Sequence, residues 1–174
     1  RRLLAAEARQ SVIVIGPTNS VLLTDANGAF KLDNQPPGSY QVRVEAGGYF
    51  IRQQTFSVAK RETIPLTFNL ARKPIAPSIT FVGDAIDAPT MAYATETATQ
   101  PLAAGSTNAL AEIADFLLSR PDLYLQIQGF GATAELGLAR AQVLRQRLID
   151  AGVSANHIEA VGGGLKRLRF LLHR

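Results

Sequence analysis

The sequence predicts two domains: an all-β antiparallel sandwich, then an α/β domain with a mixed sheet and two main helices on one face. Three observations predict this. Short alternating stretches separated by turn residues run from Ser11 to Arg72. Pro74 and Pro77 then stiffen a short connector. From residue 109 to 164 the pattern reads helix, strand, helix, strand.

The expected divisions are an N-terminal extension or partial strand over 1–10, the sandwich over 11–72, a linker over 73–77 and the α/β domain over 78–174. In the first, RRLLAAEARQ is either a short helix or part of a strand. Val12–Ile15 is an apolar run closed by Gly16-Pro17, and 21–24 follows as a second strand. Asp25-Ala26-Asn27-Gly28 and Gln35-Pro36-Pro37-Gly38 are turns, because asparagine and glycine tolerate positive φ and proline presets it. Between them Phe30 and Leu32 share one face of a strand. Tyr40, Val42 and Val44 alternate with polar neighbours, Gly47-Gly48 turns the chain, and Phe56–Val58 and 64–70 supply two more strands.

The connector leads into residues 78–105, where 79–82 and 90–94 are the candidate strands and Ser106 or Thr107 the candidate N-cap. Leu110, Ile113, Ala114 and Leu117 then form a helical stripe, stopped at Arg120-Pro121-Asp122 because the residue before a proline leaves helical geometry. Leu123, Leu125 and Ile127 alternate with Tyr124, Gln126 and Gln128, a strand with one dry face. Ala141, Leu144 and Leu148 mark a second helix, which Gly152 closes. Two β stretches, 158–161 and 168–172, flank three glycines. On the last, Leu168, Phe170 and Leu172 point inward, and Arg167 and Arg169 point outward on a possible edge strand, where they discourage stray pairing.

Composition narrows the function classes. Of 174 residues, 47% are hydrophobic and 18% charged, which is globular rather than disordered. No stretch reaches the roughly 18–20 apolar residues of a membrane-spanning helix. Cysteine is absent, which excludes disulfides and thiolate zinc sites. The chain opens Arg1-Arg2, which reads as a processed or partial product whose anchor is not legible. A net charge of +4 gathers toward the N-terminal part and reads as a solvated surface or an aid to adhesion on anionic polymers. No basic stripe with interleaved aromatics appears, so no nucleic-acid partner is expected.

Nor does the sequence offer an enzyme. His157 and His173 sit neither beside a G-x-S-x-G turn nor at H-E-x-x-H spacing, and read as solvent-exposed. Gly162-Gly163-Gly164 lacks the Lys-Ser/Thr of a phosphate loop and reads as freedom for a tight crossing. Asp84 and Asp87 lack further oxygen ligands. The expectation is therefore a non-catalytic protein with no metal and no cofactor.

Two resemblances sharpen this. The order TDANGAF, then PPGSYQVRVEAGGY, ending LTFNL, resembles the carboxypeptidase-regulatory-like, transthyretin-like fold over residues 11–72. LAEIADFLLSRPDLYLQIQGFG, followed by LGLARAQVLRQRLIDAGVSANHIEAVGGG, resembles the OmpA-like peptidoglycan-binding domain over roughly 75–174. Leu136, Arg140, Ala141, Leu148, Gly152, Val153 and Ile158 stand in that family's order.

The second resemblance implies a pocket for the diaminopimelate of a cell-wall stem peptide. In that family an aspartate after the strand end pairs with the ligand's ammonium, and an arginine fork grips its carboxylate. Arg140 stands at the arginine position. Where the family has its aspartate, this chain has Gly129-Phe130-Gly131-Ala132 and a shorter loop. An ammonium desolvated there without a partner costs about 1–3 kcal/mol. Either Glu135 swings in as the substitute carboxylate, or the trimmed loop leaves no pocket and Arg140 lies along its helix with its head in water. The expected ligand site is thus Arg140, Phe130, Gly131, Ala132 and Glu135.

The function implied by these resemblances is that of a periplasmic protein of a Gram-negative-type envelope, associated with outer membrane or cell wall. It would tether or brace an assembly against peptidoglycan. The pairing of the two domains is similar to proteins that attach secretion or motility machinery to the wall. The alternative keeps the architecture without the ligand: a structural subunit contacting other envelope proteins or copies of itself. A third reading, an accessory domain of a glycan-active enzyme, rests on the sandwich alone.

Overall fold

The computed structural model describes residues 10–165 and 167–174. Of the extension read over residues 1–10, residues 1–9 lie outside the described residues. The chain divides into two compact units, Arg1–Lys73 and Pro74–Arg174.

Among the described residues, the first unit is built on one antiparallel sheet. Its strands are β1 (Ser11–Ile15), β2 (Ser20–Leu23), β3 (Gly38–Glu45) and β4 (Arg52–Val58), in the order β2-β1-β3-β4. The register sets Val12 opposite Val44 and Val14 opposite Val42, so the alternation of both strands delivers one apolar face. Val12, Val14, Tyr40, Val42 and Val44 are each at most 3% exposed and form the core. Tyr40 also donates its hydroxyl to Pro36 O at 2.6 Å, which pins the proline turn to the sheet.

Among the described residues, a second sheet, expected from Phe30, Leu32 and residues 64–70, is not formed. Those segments run extended, and Phe30, Leu32, Leu66, Phe68 and Leu70 pack onto the core without a ladder. Pro65 supplies no N–H, and Asn34 turns the chain at positive φ, so neither segment offers an uninterrupted row of donors. The apolar side chains still cover the sheet, which is what burial requires.

In the second unit, β5 (Thr80–Val82) and β6 (Ala85–Asp87) form a hairpin. Helix α1 (Ala103–Ser119), β7 (Tyr124–Phe130), α2 (Ala134–Asp150), β8 (Ile158–Leu165) and β9 (Arg169–His173) follow. The sheet order is β5-β6-β9-β7-β8, with β7 and β8 parallel and the remaining pairs antiparallel. Ile86, Phe170 and Ile127 lie directly opposite one another across three strands and are buried on one face.

Both helices cover that face. Phe116 of α1 meets Phe81, which shares the face, at a ring separation of 4.6 Å. Helix α2 lies against β7 and β8 so closely that a Cβ on Gly129 would sit 1.7 Å from Gly137 O, and one on Gly162 would sit 2.5 Å from Ala134 O. Glycine at these two positions lets helix backbone rest on strand backbone.

Four sequence expectations are corrected here. Helix α1 starts at Ala103 and has no side-chain cap. Ser106 is fully buried inside it, and the Thr107 hydroxyl donates to Ala103 O. The glycine run does not separate two strands, because β8 passes through it. β9 is not an edge, since β6 and β7 flank it. Of the two candidate strands in 78–105, β5 forms, but 90–94 contributes only a bridge from Tyr93 to Pro101.

Candidate functional site

Helix α2 begins where Thr133 caps it: its hydroxyl oxygen accepts Leu136 N–H at 3.2 Å. The buried stripe of the helix is Gly137, Arg140, Ala141, Leu144 and Leu148. A cation therefore occupies a position that the spacing assigns to the core. Arg140 is 2% exposed.

Such burial is tolerated because backbone carbonyls surround the guanidinium. Nε donates to Ala98 O at 2.8 Å, and one Nη donates to Phe130 O at 3.1 Å. The other Nη donates to Thr95 O and Glu96 O at 3.2 and 2.8 Å. Four of the five guanidinium N–H donors are thus engaged. The group also lies 4.1 Å from the ring centre of Tyr93 and 4.8 Å from that of Phe130, favourable contacts for a cation on aromatic faces. Among the described residues no carboxylate is in ion-pair range of it.

Beside Arg140 opens a cleft of about 680 Å³. Residues 92–96 form one wall and residues 130–132 the other, with Arg140 in the lining. Four of the five residues expected at the site, Arg140, Phe130, Gly131 and Ala132, therefore meet at one cavity. Glu135 does not line it. Its carboxylate is held instead by its own backbone N–H and by the Thr133 hydroxyl, which together lower its pKa. The first turn of α2 claims this carboxylate, so the expected substitution fails there. Arg140 likewise does not hold its head in water.

The acid that does line the cleft is Glu96, which sequence reasoning missed. Its backbone O is tied to Arg140, while its side chain is exposed and has no hydrogen bond or ion pair among the described residues. Tyr93 completes the wall. Burial pushes its phenol pKa up, against the downward pull of the Arg140 and Arg147 charges.

The histidines carry no comparable arrangement. His157 is half-buried against the Tyr124 ring at 4.7 Å rather than solvent-exposed, and His173 is exposed. Among the described residues no group of three His, Asp or Glu side chains is placed to hold a metal ion. Among them, too, no helix is long and apolar enough to cross a membrane.

Compared with known proteins, the chain has no match among the curated sequences. The first unit does match a family, in agreement with the resemblance read over 11–72: residues 7–71 match the carboxypeptidase regulatory-like domain.

Proposed function

We propose that the second unit is an OmpA-like domain and that the protein is a non-catalytic component of a bacterial periplasm, tethering an envelope assembly to peptidoglycan. The cleft beside Arg140 carries this reading. It joins residues 92–96, Phe130, Gly131, Ala132 and a buried guanidinium in one cavity. The order helix, strand, helix, strand from α1 to β8, with β7 and β8 parallel, supports the family reading.

In this cleft a zwitterionic amino-acid end has two complementary groups. The Glu96 carboxylate faces an ammonium, and the one Nη–H of Arg140 that has no partner among the described residues faces a carboxylate. Ala92, Ala94 and Ala132 are small and exposed, which leaves room for an aliphatic arm.

Co-sedimentation with purified sacculi tests the reading. The wild-type chain pellets with sacculi, and Ala132→Trp, which fills the cleft without touching the Arg140 bonds, lowers retention about tenfold or more. Equal retention of the variant rejects the cleft, and no retention of the wild type rejects the tether.

A second reading has an observation of its own. Four guanidinium donors are already engaged by the fold's own carbonyls, as they are in a purely structural arginine. On that reading the domain is an interaction module for other envelope proteins or copies of itself, and the wild-type chain stays in the supernatant.

A further inference from the structure

Three of the four acceptors around Arg140 come from one short segment: the carbonyls of Thr95, Glu96 and Ala98. That segment is a loop closed at its neck, where Leu102 N donates to Ala92 O at 2.7 Å and Tyr93 bridges Pro101. Loops of this length with joined ends are compact and frequently functional. Beyond its neck, the loop's hydrogen bonds to the rest of the unit, among the described residues, come from two arginines of α2: Arg140, and Arg147, which donates to the Gln100 side chain at 2.9 Å.

The buried cation has no counter-ion among the described residues and is held by carbonyl dipoles and two aromatic faces. A carboxylate makes shorter and stronger bonds to a guanidinium than neutral carbonyls do. We propose that residues 93–98 are a displaceable strap that holds Arg140 while the cleft is empty and yields it to a ligand carboxylate when the cleft fills. The proposal rests on the tether reading and adds regulation to it. Occupancy of the cleft becomes movement of an exposed loop bearing Glu96, a signal that a bound partner can read. The strap also lowers apparent affinity, because its carbonyls compete with the ligand carboxylate for the guanidinium.

The test uses the full chain and a soluble diaminopimelate-containing muropeptide, with hydrogen exchange read at residues 93–98. Saturating muropeptide speeds exchange of those amides about fivefold or more while β7 is unchanged. The double variant Thr95→Gly/Thr97→Gly removes the hydroxyl oxygen that accepts Ala98 N–H at 3.0 Å and loosens the strap. It binds the muropeptide several-fold tighter, with its helical circular dichroism intact. Binding that leaves the exchange unchanged or slowed, or that the glycine variant weakens, overturns the strap and leaves the tether standing. Absence of binding by either protein overturns both.

Discussion

The guanidinium carbon of Arg140 lies 4.1 Å from the centre of the Tyr93 ring, so a core position of α2 grips a loop that precedes α1. The ring, the Phe130 ring and four carbonyls together replace the water that an arginine head normally keeps. Position and chemistry are coupled: removing the cation loosens the wall of the cleft as well as its base.

Arg140→Ala is expected to destabilise the second unit by about 3–5 kcal/mol, since four backbone carbonyls lose the guanidinium that they share. Arg140→Lys recovers only part of this, because an ammonium has three donors and no planar fork. Urea denaturation followed by the helical signal measures the effect, as both α1 and α2 lie in the second unit. A loss below about 1 kcal/mol for the alanine variant contradicts the arrangement.

The cap of α2 has a pH signature. The carboxyl of Glu135 titrates below its ordinary 4.5, held down by its own backbone N–H and then by Thr133. A depressed carboxyl stabilises the fold above its unfolded pKa, and the contribution disappears as pH falls through the folded value, so the window is on the acid side of about 4.5. Thr133→Ala should cost about 1 kcal/mol at neutral pH through the lost cap. It should also raise the Glu135 pKa, which an NMR titration reads directly.

Gly129→Ala places a Cβ at 1.7 Å from Gly137 O, a backbone atom that cannot rotate away. Helix α2 must shift, at a cost of about 1–3 kcal/mol by the usual scale of overpacking. Gly47→Ala, where a Cβ meets nothing within 4 Å, is the control and should stay within about 0.5 kcal/mol of wild type.

Glu96→Gln separates binding from folding. Its side chain has no partner among the described residues, so urea midpoints should match wild type. Sacculi retention should fall roughly tenfold if this carboxylate faces the ligand's ammonium. Retention equal to wild type removes Glu96 from the site.

Regular periodicity made most of the fold legible. Val12, Val14, Val42 and Val44 alternate, and the Gly137-to-Leu148 stripe repeats at helical spacing. That spacing also places Arg140 four residues before Leu144, on the inward face, which is the available sign that its head is buried. That the described residues of the first unit form no second ladder was not legible, because extended apolar segments look alike whether or not their N–H groups pair. Residues 92–98 have neither period nor turn signature, and their role comes from the carbonyls they present to Arg140, groups that every residue type carries. Glu96 was hidden for the same reason.

The most direct measurement is competition on sacculi: sedimentation of the full chain with purified peptidoglycan, with and without excess soluble stem peptide carrying diaminopimelate. The tether predicts that the chain pellets and that the peptide returns it to the supernatant. A chain that stays in the supernatant throughout, or a pellet that the peptide leaves unchanged, contradicts it.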